Sequence, residues 1–268
     1  MGSQAGACSR APRTQRALIS PGARHPPPPA LPPPVSGLAV TGGRPGRPRT
    51  LGELRADMEA ALALTPGRHR VNLHALHGDF SETGFVDRDA LTAANFDSWI
   101  SWARGAGVAL DFNPTMFSHP LAASGFTLSS KDARVRAFWV EHCKRAREIA
   151  AAIGRAQRAP CVCNVWIPDG FKDSPVDRAG HRRILRDSLD VIFAAPPAAP
   201  GGGASEGAAE PPQRHVIDAV EGKLFGVGLE SCTVGSNEFY LAYAASRPGV
   251  ALTLVGPAAP LHPCSDAM

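Results

Sequence analysis

The first 52 residues of this chain contain no acidic side chain, yet they carry seven arginines. That imbalance accounts for the basic character of the whole. The formal net charge is +4 over 268 residues, but without this segment 21 Lys+Arg face 24 Asp+Glu, or −3. A body with no basic excess lacks the electrostatic footprint that nucleic acids and anionic membranes require, so neither is expected as a partner. No apolar run reaches the length of a membrane span. Paired C-x-x-C spacing is absent as well. The six cysteines stand at 8, 143, 161, 163, 232 and 264, and Cys161-x-Cys163 places two thiols on one face of an apolar strand without zinc-knuckle geometry. They are read as reduced, mostly buried, structural thiols.

What is present is ample material for a core, with 44% hydrophobic residues. Residues 1–36 are the exception. Rich in Pro, Arg and Ala, with Pro26 to Pro29 and Pro32 to Pro34 in runs, they have no apolar periodicity and are expected to be disordered. Arginine without acid fits an organelle transit peptide, although the prolines oppose the amphipathic helix of such peptides; a mis-called start codon fits equally. The expected location is the cytoplasm, or an organelle if 1–36 is a transit peptide. Residues 37–268 form the globular part, interrupted by an Ala/Pro/Gly-rich loop insertion at 195–212.

Elsewhere short apolar runs alternate with helical periodicity. Val71 to His77, Val108 to Asn113, Cys161 to Ile167, His215 to Lys223 and Ala251 to Val255 read as strands of a parallel sheet covered on both faces. Phe96, Trp99, Ile100 and Ala103 recur at helical spacing. So do Val135, Phe138, Trp139 and His142, in a helix that Ser130 is expected to cap and Gly154 to end. Arg178 to Phe193 and Asn237 to Ser246 complete the helices. Repeated βα units predict an α/β sheet, open or closed.

Each of the first four strands carries polar residues late: Asn72 and His74, Asp111 and Asn113, Asn164 and Trp166, Glu221 and Lys223. A (β/α)8 barrel builds its site at the carboxyl ends of many strands, whereas a doubly wound sheet gathers its ligands at one switch point. The barrel is therefore expected. Within this pattern the pair Glu221 and Lys223 stands out, because period two puts an acid and a base on one face at a strand end. An isolated E-x-K is most often an exposed ion pair worth little. At a strand mouth, the carboxylate can hold a hard cation while the ammonium stabilises negative charge developing on a substrate oxygen, a pairing suited to sugar isomerisation.

The segments GELRAD at 52–57, VNLHAL at 71–76, LDFNPTMFSHP at 110–120, GFTLS at 125–129, FWVEHCK at 138–144, NVWIPDG at 164–170, VDR at 176–178, DAVEGKLFGVG at 218–228 and ESCTVGSNEFY at 230–240 together make the chain resemble the L-rhamnose isomerases, from about Thr41 to Leu254. The resemblance implies a (β/α)8 TIM barrel of the xylose-isomerase type, here with only about five βα units. It implies a metal-dependent aldose–ketose isomerase, usually a homotetramer, that interconverts L-rhamnose and L-rhamnulose with two divalent ions, typically Mn2+. On that likeness Glu221 bridges the metals, Lys223 lies near the sugar's O1, and Trp166 and His74 contact the sugar.

Beyond Leu254 the family continues with LDAGHFHPTE, which supplies an Asp and a His to the metals. This chain reads Leu254-Val-Gly-Pro-Ala-Ala-Pro-Leu-His-Pro263, with Val255 in the place of the ligand Asp. His262 is the candidate to replace the family's His as a metal ligand, although its spacing from the strand differs. Two expectations of different class follow. One is an incomplete isomerase whose 268 residues alone do not turn over L-rhamnose; the other is a truncated relative without catalysis, acting as a sugar-binding or assembly remnant.

Overall fold

The computed structural model describes residues 48–171, 176–194, 215–223 and 232–254. The segments expected to be low-complexity, 1–36 and 195–212, lie outside the described residues, as do Val255 and His262. Seven strands are seen: β1 (Arg70–His74), β2 (Ala109–Asn113), β3 (Cys161–Trp166), β4 (Gly170–Phe171), β5 (Val216–Glu221), β6 (Cys232–Thr233) and β7 (Val250–Thr253). Five α-helices accompany them: α1 (Leu51–Leu64), α2 (Asp97–Ala106), α3 (Ala133–Gln157), α4 (Arg178–Phe193) and α5 (Asn237–Ala245). The main sheet has five strands in the order β1-β2-β3-β5-β7, every pair parallel, with a helix in each connection. This is the α/β arrangement of a partial barrel. Among the described residues no helix is long and apolar enough to cross a membrane.

Register decides which side chains share a face. Leu110 and Phe112 align with Val71 and Leu73, Phe112 with Cys163, and Cys161, Cys163 and Val165 with Val216, Asp218 and Val220. Most of this set is fully buried, and α3 covers it with Ala146, Ile149, Ala150 and Ile153. The three buried thiols Cys143, Cys161 and Cys163 belong to this apolar side, where burial pushes their pKa values up; they are structural, as expected. The opposite face carries Asn72, His74, Asp111, Asn113, Asn164, Trp166 and Glu221. It is not covered throughout: Ile217 on it is 39% exposed, and Asn72 and Ala251 are exposed too. The expectation of a sheet covered on both faces therefore holds for one face only among the described residues.

Several boundaries differ from expectation. The first strand stops at His74, and Ala75–His77 form a 3₁₀ turn. Helix α3 is capped by Asp132, whose side chain accepts from Arg134 N at 2.8 Å, rather than by Ser130. Gly154 does not end it either. The helix runs to Gln157 and closes on Arg158 in the left-handed region at φ 53°. Gly154 serves a different purpose: a Cβ there would lie 1.8 Å from His215 O, and His215 O accepts from Cys161 N at 3.0 Å where β5 begins beside β3. Helix α1 was not foreseen. It starts on Thr50, which accepts from Glu53 N at 3.1 Å, and it buries no residue completely, so its apolar stripe is weak.

One polar side chain lies on the sealed face. Asp218 of β5 pairs with Arg147 of α3 through two bonds of 2.8 and 2.7 Å, and Arg147 also donates to Ile192 O at 2.5 Å at the end of α4. The two side chains are only 6% and 14% exposed. A buried pair of this kind adds little net stability, but removing one partner strands the other charge. Arg147→Ala is therefore expected to lower the unfolding free energy by about 3–5 kcal/mol, while Arg147→Ala/Asp218→Ala recovers part of that loss. Urea unfolding followed by circular dichroism measures both; a single variant within 1 kcal/mol of wild type, roughly the value of a surface pair, would contradict the assignment.

Candidate active site

Parallel strands end on the same side of the sheet, so the carboxyl ends of β1, β2, β3 and β5 form one rim. His74 aligns with Asn113, Phe112 with Cys163, and Trp166 with Glu221, so His74, Asn113, Asn164, Trp166 and Glu221 all stand on the same face, opposite α3. An unbroken line of contacts crosses this rim. The His74 ring meets Phe117 edge-on at 6.4 Å, Phe117 meets Trp166 at 5.9 Å and 90°, and Lys223 Nζ lies 5.7 Å from the centre of the Trp166 ring. Phe117 was not singled out as a site residue, although it lies inside LDFNPTMFSHP. Thr115, two residues before it, and Ser118, directly after it, both take left-handed conformations, at φ 59° and 56°, and that double turn brings it into the wall.

Lys223 is not in a strand. β5 ends at Glu221, and Gly222 follows, where a Cβ would lie 1.8 Å from Asn237 Oδ1. Lys223 N then donates to Gly235 O at 3.0 Å and Nζ donates to Pro168 O at 2.8 Å, so the residue is only 5% exposed. The carbonyl and the ring face fix the ammonium in place; a cation–π contact in a desolvated setting is worth roughly 2 kcal/mol. The loop that presents Pro168 is held by its neighbour. Asp169 is fully buried and accepts from Thr127 N at 2.9 Å, Thr127 Oγ1 at 2.6 Å, Ser129 N at 3.0 Å and Ser129 Oγ at 2.5 Å. Burial raises its carboxyl pKa, and those bonds oppose the rise. NVWIPDG and GFTLS thus meet through one carboxylate.

Glu221 is half-buried, and burial raises its carboxyl above the ordinary range while a hydrogen bond from Asn164 Nδ2 pulls it back. The other amide atom, Asn164 Oδ1, is buried with no hydrogen-bond partner among the described residues. At the far end of the rim, His74 Nδ1 lies 3.0 Å from Thr115 Oγ1. Burial, then the charge of Arg88, lowers the His74 pKa; in His77 burial, His74 and Arg88 bring it to about 4. Asp111 stands apart from this chemistry. It accepts from Arg70 at 2.7 and 2.8 Å and from Val162 N at 2.7 Å, tying β1 to β3.

A hard dication takes six or more oxygen or nitrogen ligands. Among the described residues no group of three or more His, Cys, Asp and Glu is placed to hold an ion. Glu221 and the unpartnered Asn164 Oδ1 offer two oxygens, and His262 lies outside the described residues. The described residues therefore do not fit a complete metal site.

Fold and rim together define a (β/α)-barrel-type chain with an acid, a base and an aromatic wall at the carboxyl ends of its strands. The family model described as L-rhamnose isomerase (RhaA) matches residues 34–267, a longer span than the 41–254 of the resemblance and one that takes in Val255 and His262. A protein named L-rhamnose isomerase from Rhodopirellula baltica is 51% identical over 231 residues, covering 86% of this chain and 50% of that protein. Those of Pectobacterium carotovorum subsp. carotovorum and Escherichia coli O127:H6 are 49% and 48% identical, over 82% and 80% of this chain and 48% and 47% of their own lengths. The chain belongs to the L-rhamnose isomerase family. It spans about half the length of the curated relatives it matches.

The raised Glu221 carboxyl has a consequence for stability. A carboxyl whose native pKa lies above its unfolded value binds more protons folded than unfolded, so its contribution is full below the unfolded pKa and is lost as pH rises through the native one. Glu221→Gln is expected to be more stable than wild type at pH 7, with the gap closing as pH falls through the raised native pKa toward the ordinary Glu value near 4. Unfolding midpoints measured across pH 3.5 to 8 test this; a Gln variant that is less stable at pH 7 would show that Glu221 is stabilised as the anion.

Proposed function

We propose that this chain supplies the substrate-facing rim of an aldose–ketose isomerase acting on L-rhamnose and L-rhamnulose. The observation that carries the reading is the continuous wall from His74 through Phe117 and Trp166 to Lys223, with Glu221 on the same face. The names of the relatives support the sugar. An aromatic face beside hydrogen-bonding groups suits a sugar ring, which is apolar on its C–H faces and polar at its edges.

Moving hydrogen between C1 and C2 exchanges a carbonyl for a hydroxyl, and the carbonyl oxygen gains negative charge on the way. Lys223 is the side chain suited to meet that charge. Pro168 O and the Trp166 ring hold its ammonium before substrate arrives, so little reorganisation is required. Glu221, oriented by Asn164, offers carboxylate oxygens at the end of β5. His74 and Trp166 hold and orient the sugar. By family likeness the cofactor is a pair of divalent ions, typically Mn2+, with Glu221 as one ligand and His262 as a second candidate. We read the working protein as a cytoplasmic homotetramer for the same reason of likeness.

The incomplete ligand set among the described residues favours a second reading for the 268 residues alone, sugar binding without turnover. Ketose formation separates the two. The chain, expressed in a host with no rhamnose isomerase of its own, is expected to bind L-rhamnose and form no ketose with Mn2+. Joined after Leu254 to the remaining segment of the Rhodopirellula baltica relative, it is expected to form L-rhamnulose. Lys223→Met in the joined protein should then lower kcat by about 10²–10³-fold, the usual loss for a donor aimed at a developing oxyanion. A folded joined protein that makes no ketose, or an unchanged kcat in the Lys223 variant, would refute the assignment.

A further inference from the structure

Thr115 is a β-branched residue in the left-handed region, where such residues are rare, and it is completely buried. Five hydrogen bonds hold it there. Its N–H donates to Asn113 Oδ1 at 2.8 Å, its carbonyl accepts from Arg88, and its hydroxyl lies 3.1 Å from Ala75 N, 3.0 Å from His74 Nδ1 and 3.2 Å from Asn113 O. A hydroxyl has one hydrogen to give and two lone pairs to offer. The Ala75 N–H must donate to it, and the Asn113 carbonyl can only accept from it. The hydroxyl hydrogen is thereby committed to Asn113 O. If it turned to His74 instead, two oxygen lone pairs would face each other at 3.2 Å. What remains on Oγ1 is a lone pair, and its partner His74 Nδ1 must bring the proton.

Burial and the Arg88 charge hold His74 below the ordinary histidine range, so the ring is neutral at pH 7 and carries a single N–H. Nε2 has no hydrogen-bond partner among the described residues. We propose that Thr115 is a positioning residue that fixes His74 as the Nδ1–H tautomer and presents Nε2 to the mouth as an acceptor for a sugar hydroxyl. The use of Nε2 for sugar rests on the proposed function above, whereas the tautomer does not. Both residues act through a turn whose strain its own hydrogen bonds offset, which is the usual setting of such conformations at functional sites.

Side-chain nitrogen spectra of the 15N-labelled 268-residue chain at pH 7 test this, with the His74 signals assigned by their loss in His74→Gln. The expected result is a protonated, pyrrole-type Nδ1 and an unprotonated, pyridine-type Nε2. Thr115→Ser, which keeps the hydroxyl, should retain that pattern. Thr115→Val should shift His74 toward the Nε2–H form that an unconstrained imidazole prefers. A pyridine-type Nδ1 or a doubly protonated ring in wild type would overturn the proposal, and so would an unchanged Nδ1–H form in a folded Thr115→Val protein. If the Val variant does not fold, the wild-type and Thr115→Ser spectra decide. Added L-rhamnose should shift the Nε2 signal; no shift would overturn the acceptor role at the sugar and leave the tautomer assignment standing.

Discussion

The alternation of side chains along a parallel strand is the constraint from which the rest of this structure follows. Helix α3 lays Ala146, Ile149, Ala150 and Ile153 against one face of the sheet, so apolar residues of the strands must occupy that face and polar ones the other. Asp218 violates the rule and is tolerated because Arg147 reaches it from α3 with two bonds. On that other face the carboxyl ends carry His74, Asn113, Asn164, Trp166 and Glu221, lined up by register alone. No loop has to find these residues; the sheet delivers them.

The loops add what alternation cannot. Lys223 lies past the end of β5, and its position depends on the missing side chain of Gly222 and on the carbonyls of Pro168 and Gly235. Pro168 in turn sits beside Asp169, whose carboxylate gathers the Thr127 and Ser129 turn and which is paired through its own carbonyl with Val234 N at 3.0 Å. Three segments far apart in the chain thus converge behind one ammonium. The cost of burying Asp169 is offset by four bonds to its carboxylate, and the loop conformation is the result.

Much of this was legible in the sequence, for reasons that differ by element. The five long strands announce themselves as apolar runs, the first four with polar residues at their ends, and α2 and α3 as stripes at helical spacing. What was missed depended on partners distant in sequence. Gly154 reads as a helix stop, yet its role is to admit the His215 backbone, which only the folded sheet brings near. Ser130 and Asp132 are both good caps, and local sequence does not choose between them. Helix α1 escaped notice because it completely buries nothing. The two-residue strands β4 and β6 pair across a long separation and are too short to show a period. Glu221, Lys223, His74 and Trp166 stand out in the sequence by their place on strands or by likeness; Phe117 and Thr115 do not, because a turn with two left-handed residues has no such signature.

The spatial order β1-β2-β3-β5-β7 is also the order of synthesis. No strand has to be inserted between two that are already paired, so the sheet can lengthen from one edge as the chain emerges. Each new pairing still spans a whole helical connection, which makes these contacts distant in sequence and slow to form compared with hairpins. The contact from Asp111 to Val162 N is made only when β3 reaches β2, and it closes over a carboxylate that Arg70 of β1 already holds. β3 therefore meets an edge whose carboxylate the strand before it has already paired, and a nascent chain that stalls partway presents a parallel edge ready for the next βα unit.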